Sequence, residues 1–113
     1  MLEIVRGRTW WQDHSFFDRP DVPTDLTGYA FKCQIRKAVA TKNSSGTYEH
    51  ELVADVTVVV ADNVTTWSLS RAQANALSPS DKYQIDMVGT KDGVDYAFIN
   101  PEPVRVVNRP SIP

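Results

Sequence analysis

Hydrophobic and polar residues alternate along most of the chain, as they do in strands that have one buried and one solvated face. The clearest run begins at Tyr29 and ends at Arg36. It places aromatic, cysteine and isoleucine side chains on one side and lysine, glutamine and arginine on the other. The same alternation predicts further strands over residues 2–7, 9–17, 52–60, 64–69, 83–90, 94–99 and 104–107. The pattern indicates an all-β protein.

Two short segments between these runs predict tight hairpins. Asp92-Gly93 fits a type I′ turn, which requires a positive φ at both central residues, and it should pair residues 83–90 with 94–99. Residues 61–63 are few enough to join two further strands in the same way. Longer loops are expected at 19–25, which contains two prolines, and at 43–46.

Residues 71–77 depart from the strand pattern because they are rich in alanine, the best helix former. Ser70 can cap the first free N–H groups, and Gln73 can reach back to the cap. Pro79 then prevents extension of the helix. One short helix near residues 71–77 is therefore expected between two strands.

Strands at this spacing, antiparallel turns and one short helix indicate a two-sheet antiparallel β-sandwich. An OB-type or other partly open barrel is the competing arrangement. Prolines on both sides of residues 104–107 predict that this last strand lies at a sheet edge, since proline cannot donate to a ladder. The expected organisation is a β-sandwich domain over residues 1–107 and an extended C-terminal arm over 108–113.

Composition and charge narrow the possible partners. The 113 residues correspond to one domain, and 12 Lys+Arg against 14 Asp+Glu give a net charge of −2. A basic surplus typical of proteins that bind nucleic acid or an anionic membrane is missing, so neither partner is expected. The longest apolar run, residues 58–61, is too short to cross a membrane. With a single cysteine and no apolar signal core, the chain is expected to be made and kept in a reducing cytoplasm.

Chemically active residue types are sparse. His14 is flanked by Asp13 and Ser15, but neighbours on a strand point to opposite faces, so both His14 and His50 are expected to be exposed polar residues. Cys33 lies in phase with hydrophobic residues and is expected to be a buried, unreactive thiol.

Metal and cofactor sites are not expected either. Four carboxylates lie close together in the sequence, but their spacing fits no calcium loop, and a solvated acidic loop is expected; they are Asp13, Asp18, Asp21 and Asp25. The chain has no zinc-type Cys/His spacing and no Gly-rich phosphate loop. The sequence thus predicts no catalytic, cofactor or metal site, and the protein is not expected to be an enzyme.

Trp10-Trp11 is the one local feature that suggests binding. Because adjacent strand residues face opposite ways, one tryptophan should be interior and the other should reach solvent or a partner. An exposed tryptophan near arginines such as Arg6 and Arg8 suits a protein interface or stacking on a sugar. The alternative is that loop 19–25 or the chain end covers the second ring.

Several segments together resemble a phage domain. They are Arg6-Gly7-Arg8-Thr9-Trp10, residues 22–29 (VPTDLTGY), 34–36 (QIR), 67–77 (WSLSRAQANAL), 82–87 (KYQIDM) and the Asp92-Gly93 turn. In this order they resemble the immunoglobulin-like N-terminal domain of tailed-phage baseplate upper proteins and of related small phage structural proteins. Arg8 stands where that family usually has Asp, and Asn100-Pro101-Glu102-Pro103 interrupts the usual approach to the last strand.

The resemblance implies an immunoglobulin-like β-sandwich that serves as a structural virion protein, made in the host cytoplasm. It would assemble into the tail or baseplate, as an adaptor or for fibre attachment, with other phage structural proteins and with copies of itself in a symmetric assembly. Alternatives are a capsid decoration or cement protein, and a carbohydrate-binding module that uses Trp10 or Trp11. The expected interface residues are Arg8, Trp11, Arg109, Pro110, Ser111, Ile112 and Pro113.

Overall fold

The computed structural model describes residues 2–108, and these contain eleven strands and one helix. The elements are β1 (Leu2–Val5), β2 (Trp10–Ser15), β3 (Phe17–Arg19), β4 (Val22–Pro23), β5 (Ala30–Lys37), β6 (Thr41–Lys42), β7 (Tyr48–Glu49), β8 (Leu52–Ala61), β9 (Val64–Leu69), α1 (Arg71–Asn75), β10 (Tyr83–Lys91) and β11 (Val94–Val107). The all-β prediction is confirmed. The predicted arm begins at residue 108, and residues 109–113 lie outside the described part of the chain.

Seven strands form one sheet in the order β1-β11-β10-β5-β8-β9-β2, and this sheet is nearly closed. Neighbouring strands are antiparallel, apart from β1, which runs parallel to β11. The other four strands make two small hairpins, β3–β4 and β6–β7. The sheet therefore ends in two edge strands, β1 and β2, which follow one another in the sequence.

Strand β8 connects the two halves of the sheet. Its first half pairs with β5 as far as Val56, and from Thr57 onward it pairs with β9. Both halves contribute to one core, because Ile35 of β5 and Trp67 of β9 are both completely buried in the same cluster. Strand β8 thus joins the seven strands into one continuous sheet, and the core lies between the two halves of that sheet.

Both hairpin predictions are confirmed. Asp62 and Asn63 connect β8 to β9 with φ of 51° and 61°, and Asp92 and Gly93 connect β10 to β11 with φ of 53° and 76°. Positive φ at both central residues is the property of a type I′ turn, whose twist matches that of the flanking strands. Short polar residues and glycine tolerate this conformation, and therefore these four positions determine the register of both hairpins.

The short helix is also confirmed, with the predicted cap. The Ser70 hydroxyl accepts a hydrogen bond from the Gln73 N–H at 3.1 Å, and the Gln73 side chain accepts one from the Ser70 N–H at 2.9 Å. Helix α1 is shorter than the predicted range 71–77, but Leu77 is still buried in the core. The turn after the helix therefore also anchors this segment in the core.

The prediction that residues 104–107 lie at an edge is wrong. Strand β11 lies between β10 and β1 in the sheet: Val104 pairs with both Tyr83 and Leu2, and residues 105–107 pair with β1. Pro101 and Pro103 precede Val104, where β1 has not yet begun to pair, and Pro101 lies in the register shift against β10 between Ile99 and Glu102. Their missing N–H groups consequently leave the β1 ladder intact.

A cluster of aromatic rings packs at the other end of β11. The ring of Phe98 meets those of Tyr29 and Phe31 edge to face, with centroids 5.1 and 5.0 Å apart. Phe98 also lies directly on Gly89, where an added Cβ would come within 2.4 Å of the ring. Glycine at this position therefore leaves the space that the Phe98 ring occupies.

Candidate protein-interaction surface

Strand β2 separates the two adjacent tryptophans as predicted. Trp10 is 5% exposed and belongs to the core, whereas Trp11 is 65% exposed. The Trp10 indole N–H donates to the Glu3 carbonyl at 3.2 Å. This hydrogen bond connects β2 to β1, the two edge strands of the nearly closed sheet. Trp11 points to the opposite side, and its ring is available to a partner.

The register of β2, β9 and β8 places Trp11 on a nearly uncharged surface. Three rows of three side chains share this side of the sheet: Trp11, Ser68 and Thr57; Asp13, Thr66 and Val59; Ser15, Val64 and Ala61. We call these nine residues the Trp11 face. Its one charged residue is Asp13, whose carboxylate accepts a hydrogen bond from the Thr66 hydroxyl at 2.6 Å.

The composition of the Trp11 face is that of an interface centre. Trp11 and Val59 are large apolar residues that are 65% and 58% exposed, and they are surrounded mainly by serine and threonine. Centres of protein interfaces are depleted of charged residues and enriched in aromatic ones. Truncation of a central tryptophan is among the most costly changes in such interfaces. The face can therefore bind another protein without first having to desolvate many charges.

Arg8 and Trp11, two of the predicted interface residues, lie at one hollow. Arg8 is exposed in the loop between β1 and β2, and a hollow of about 400 Å³ is lined by Arg8, Thr9, Trp10 and Trp11. An arginine beside an aromatic ring offers both a charge and an apolar surface to one partner side chain. The remaining predicted interface residues lie outside the described part of the chain; they are Arg109, Pro110, Ser111, Ile112 and Pro113.

The expectation of an exposed histidine is wrong for His14. Its ring stacks on Trp67 with centroids 3.8 Å apart, on the inner side of β2, and its Nε2 is buried. Burial lowers the pKa of His14, against the opposing influence of the Glu102 and Asp13 carboxylates. The error has a simple cause, since His14 is in phase with Trp10 and the period-two rule places both inside. The expectation holds for His50, which is exposed.

Cys33 is a buried core residue, as predicted. It is 1% exposed, and burial raises the pKa of its thiol to about 12. A thiol with so high a pKa supplies almost no thiolate near neutral pH, and the thiolate is the nucleophile. Cys33 therefore contributes packing and not chemistry.

The acidic loop is solvated. Asp18, Asp21 and Asp25 are all exposed, and hydrogen bonds from Thr27 lower the pKa of Asp25. Within residues 2–108 no three His, Cys, Asp or Glu side chains are grouped so that they could hold a metal ion. The helix found in this part of the chain is too short to cross a membrane.

A second concavity, of about 530 Å³, lies beside the proline-rich part of β11. Its lining includes Pro79, Pro101 and Pro103, with Lys82 and Glu102 as charged neighbours. It contains no histidine or cysteine, and its other charged lining residues are Asp81 and Arg105. This concavity has no exposed aromatic side chain comparable to Trp11 of the Trp11 face.

The sequence pattern identified Trp11 but not its neighbours on the sheet. Thr57, Val59, Thr66 and Ser68 share the Trp11 face only because β8 and β9 pair in a particular register. The signal was present in the two-residue turn after Ala61, since hairpin length determines register. Which strand pairs with β2 is a long-range property that this turn cannot supply.

Comparison with known proteins does not assign the chain to a family. The sequence matches no protein-family model, and a search of curated proteins finds no match.

Proposed function

We propose that the chain is a structural virion protein of a tailed bacteriophage, a small immunoglobulin-like module that assembles into the tail or baseplate. Its role there would be that of an adaptor or of a fibre-attachment protein, carried out through protein–protein contacts. The Trp11 face is the observation that carries the binding role. The resemblance of the sequence segments to small phage structural proteins supplies the phage setting.

The geometry of the Trp11 face favours a protein partner. A tryptophan side chain buries roughly 150–250 Å² on association and contributes about 25 cal/mol per Å² of apolar area. Trp11 is held on a paired strand, so little conformational entropy remains to be lost when it binds. The adjacent hollow at Arg8 can accept one side chain of the partner.

The immunoglobulin-like part of the proposal is supported by segments of the resemblance that fall on paired elements. The segment 67–77 covers the end of β9 and all of α1, and the segment 82–87 lies at the start of β10. The two halves that meet at β8 enclose one core, as the two sheets of a sandwich do. An immunoglobulin-like module is a scaffold, and its function resides in its surfaces.

Carbohydrate binding is the second candidate, and one observation favours it. The exposed indole of Trp11 lies on one face of the sheet with the Asp13 carboxylate and the Ser68 hydroxyl, which are groups that hydrogen-bond sugars. Trp10 is buried and is therefore removed from this candidate. A glycan array with the purified chain and with Trp11→Ala tests it, and binding that disappears in the variant would support it.

Quantitative mass spectrometry of purified virions tests the proposed function. We expect the chain to be present at a copy number that matches the symmetry of the tail. Virions produced with Trp11→Glu should contain much less of it, while Tyr48→Glu should be incorporated normally. Tyr48 is a matched control because it is 68% exposed on β7, away from the Trp11 face.

Absence of the chain from virions would overturn the proposal. A copy number equal to that of the major capsid protein would instead assign it to capsid decoration, the alternative position in the particle.

A further inference from the structure

The nearly closed sheet has a junction without backbone pairing, between β2 and residues 98–103 of β11. In the part of the chain that the structure describes, β2 pairs only with β9, and β1 pairs with β11 only from Val104 onward. We call this junction the seam. Side chains close it, since the Phe16 ring meets the Phe98 ring edge to face with centroids 5.4 Å apart.

The β11 side of the seam is held by few hydrogen bonds. Pro101 and Pro103 have no N–H to donate, and the register of β11 against β10 shifts on either side of Met87. Segments with few backbone hydrogen bonds open locally, at a lower cost than unfolding of the whole chain. The seam is therefore a place where the sheet can open locally.

His14 lies on the inner side of the seam. Its ring stacks on that of Trp67 with centroids 3.8 Å apart and an interplanar angle of 22°. Its Nε2 atom is buried and has no hydrogen-bond partner within residues 2–108. A neutral imidazole can leave Nε2 without a proton, whereas a protonated one carries an N–H at both nitrogens. Protonation would thus put an unpaired donor and a positive charge into a buried position.

Two carboxylates act on this charge and oppose the effect of burial. They belong to Asp13 of the same strand and to Glu102 of β11, while β9, on which His14 packs, has no charged residue. Burial outweighs the carboxylates, so the pKa of His14 is lowered. The face of the Trp67 indole also attracts a cation, but an N–H without an acceptor costs more than such a stack contributes. The closed seam therefore disfavours the imidazolium, and an open seam, in which water reaches the ring, does not.

We propose that His14 is a pH-sensitive switch of the seam: when its ring takes up a proton, β2 separates from residues 98–103 of β11 while the central strands of the sheet remain paired. The ladders that β5 forms with β10 and with β8 contain no histidine, so they should not respond in this pH range. Separation exposes the rings of Trp67 and Phe98 to water. The inference concerns a movement within the fold and holds whether or not the chain belongs to a virion.

Proton exchange at the Trp67 indole, followed by NMR on the full chain at pH 7.5 and 5.5, tests the proposal. This N–H donates to Thr65 Oγ1 at 3.0 Å and belongs to the ring on which His14 stacks, so it reports on the inner side of the seam. After correction for the intrinsic exchange rate, its opening constant should rise by up to about tenfold at pH 5.5, one unit below the ordinary pKa of an accessible imidazole. At both pH values it should exceed the opening constant of the Ile35 amide, which lies in a central strand and reports unfolding of the whole chain.

Three variants separate the switch from a general effect of acid. His14→Phe keeps an aromatic ring on Trp67 that cannot take up a proton, so its opening constant should be the same at both pH values. His50→Gln is the matched control, because His50 is exposed between β7 and β8, and it should retain the response. Glu102→Gln removes an exposed carboxylate that favours the imidazolium in the closed seam, so it should enlarge the response.

An opening constant at Trp67 that does not change with pH would overturn the proposal, as would an equal rise in His14→Phe or a smaller response in Glu102→Gln. Equal opening constants for Trp67 and Ile35 at both pH values would overturn it as well, since they would mean that the sheet opens only as a whole. None of these outcomes bears on the proposed function, which mass spectrometry of virions tests separately.

Discussion

The two ends of the seven-stranded sheet differ in how the chain itself uses them. At β1 the inward residues Leu2 and Ile4 are buried, and the indole of Trp10 donates to the Glu3 carbonyl. At β2 the inner side is equally well packed, but the ring of Trp11 stands in solvent. The side chains at β1 are thus used within the molecule, whereas the largest side chain on the outer face of β2 stays exposed.

Arg6 attaches the end of β1 to the rest of the fold. Its backbone N–H donates to the Val107 carbonyl, and its guanidinium donates to the Asn75 carbonyl at 2.9 Å and to the Asn108 side chain at 3.0 Å. The β1 end is thereby attached to α1 and to the last strand. Arg8, two residues later, is exposed at the hollow beside Trp11. Residues of the same type thus serve folding at one edge and remain free for a partner at the other.

Replacing each tryptophan with alanine should give the largest difference in stability between the two edges. Trp10→Ala removes a buried ring, so the free energy of unfolding should fall by about 3–5 kcal/mol. Trp11→Ala should change it by less than about 0.5 kcal/mol, because the ring is mostly in solvent. Urea denaturation measures both. Equal losses would mean that Trp11 is part of the fold.

Replacing Arg6 and Arg8 with alanine should show the same contrast in stability, with a smaller difference than for the two tryptophans. Arg6→Ala removes two side-chain hydrogen bonds that join the β1 end to Asn75 and Asn108, so the free energy of unfolding should fall by about 1–2 kcal/mol. Arg8→Ala should leave stability within about 0.5 kcal/mol and reduce incorporation of the chain into virions. Thermal unfolding and mass spectrometry of virions separate the two effects. A stability loss for Arg8→Ala as large as that for Arg6→Ala would contradict the contrast.

Acidification should produce the smallest effect, on the inner side of β2. The folded protein lowers the pKa of His14, so below the ordinary value of about 6.5 the unfolded chain binds more protons than the folded one. Stability is therefore full above this pH and should decrease as the pH falls below it. His14→Phe should reduce this dependence, while His50→Gln should retain it. Urea midpoints between pH 5 and 7.5 measure the difference, and an unchanged slope in His14→Phe would refute the assignment.

Local sequence signals predicted the local structure well. The Ser70–Gln73 cap, the Asp92-Gly93 turn and the burial of Cys33 each depend on residues close in sequence or on strand periodicity, and all three are confirmed. Such features need no knowledge of distant partners. The positions of Trp10 and Trp11 were predictable for the same reason.

The order of strands was not predictable in this way. Whether β11 is an edge depends on β1, which lies about a hundred residues away and pairs with it in parallel. Pro101 and Pro103 remove only their own N–H groups from the ladder, so they do not indicate how Val104 is paired. The Trp11 face likewise required the pairing of β2 with β9. The burial of His14 could have been predicted, since the alternation that placed Trp10 inside applies to it as well.

Hydroxyl-radical footprinting of the free chain and of purified virions compares the two tryptophans within one molecule. If the Trp11 face binds a neighbouring virion protein, oxidation of Trp11 should be high in the free chain, where its side chain is 65% exposed, and low in virions. Trp10, which is buried, should be oxidised little in both. Equal oxidation of Trp11 in the free chain and in virions would contradict the account.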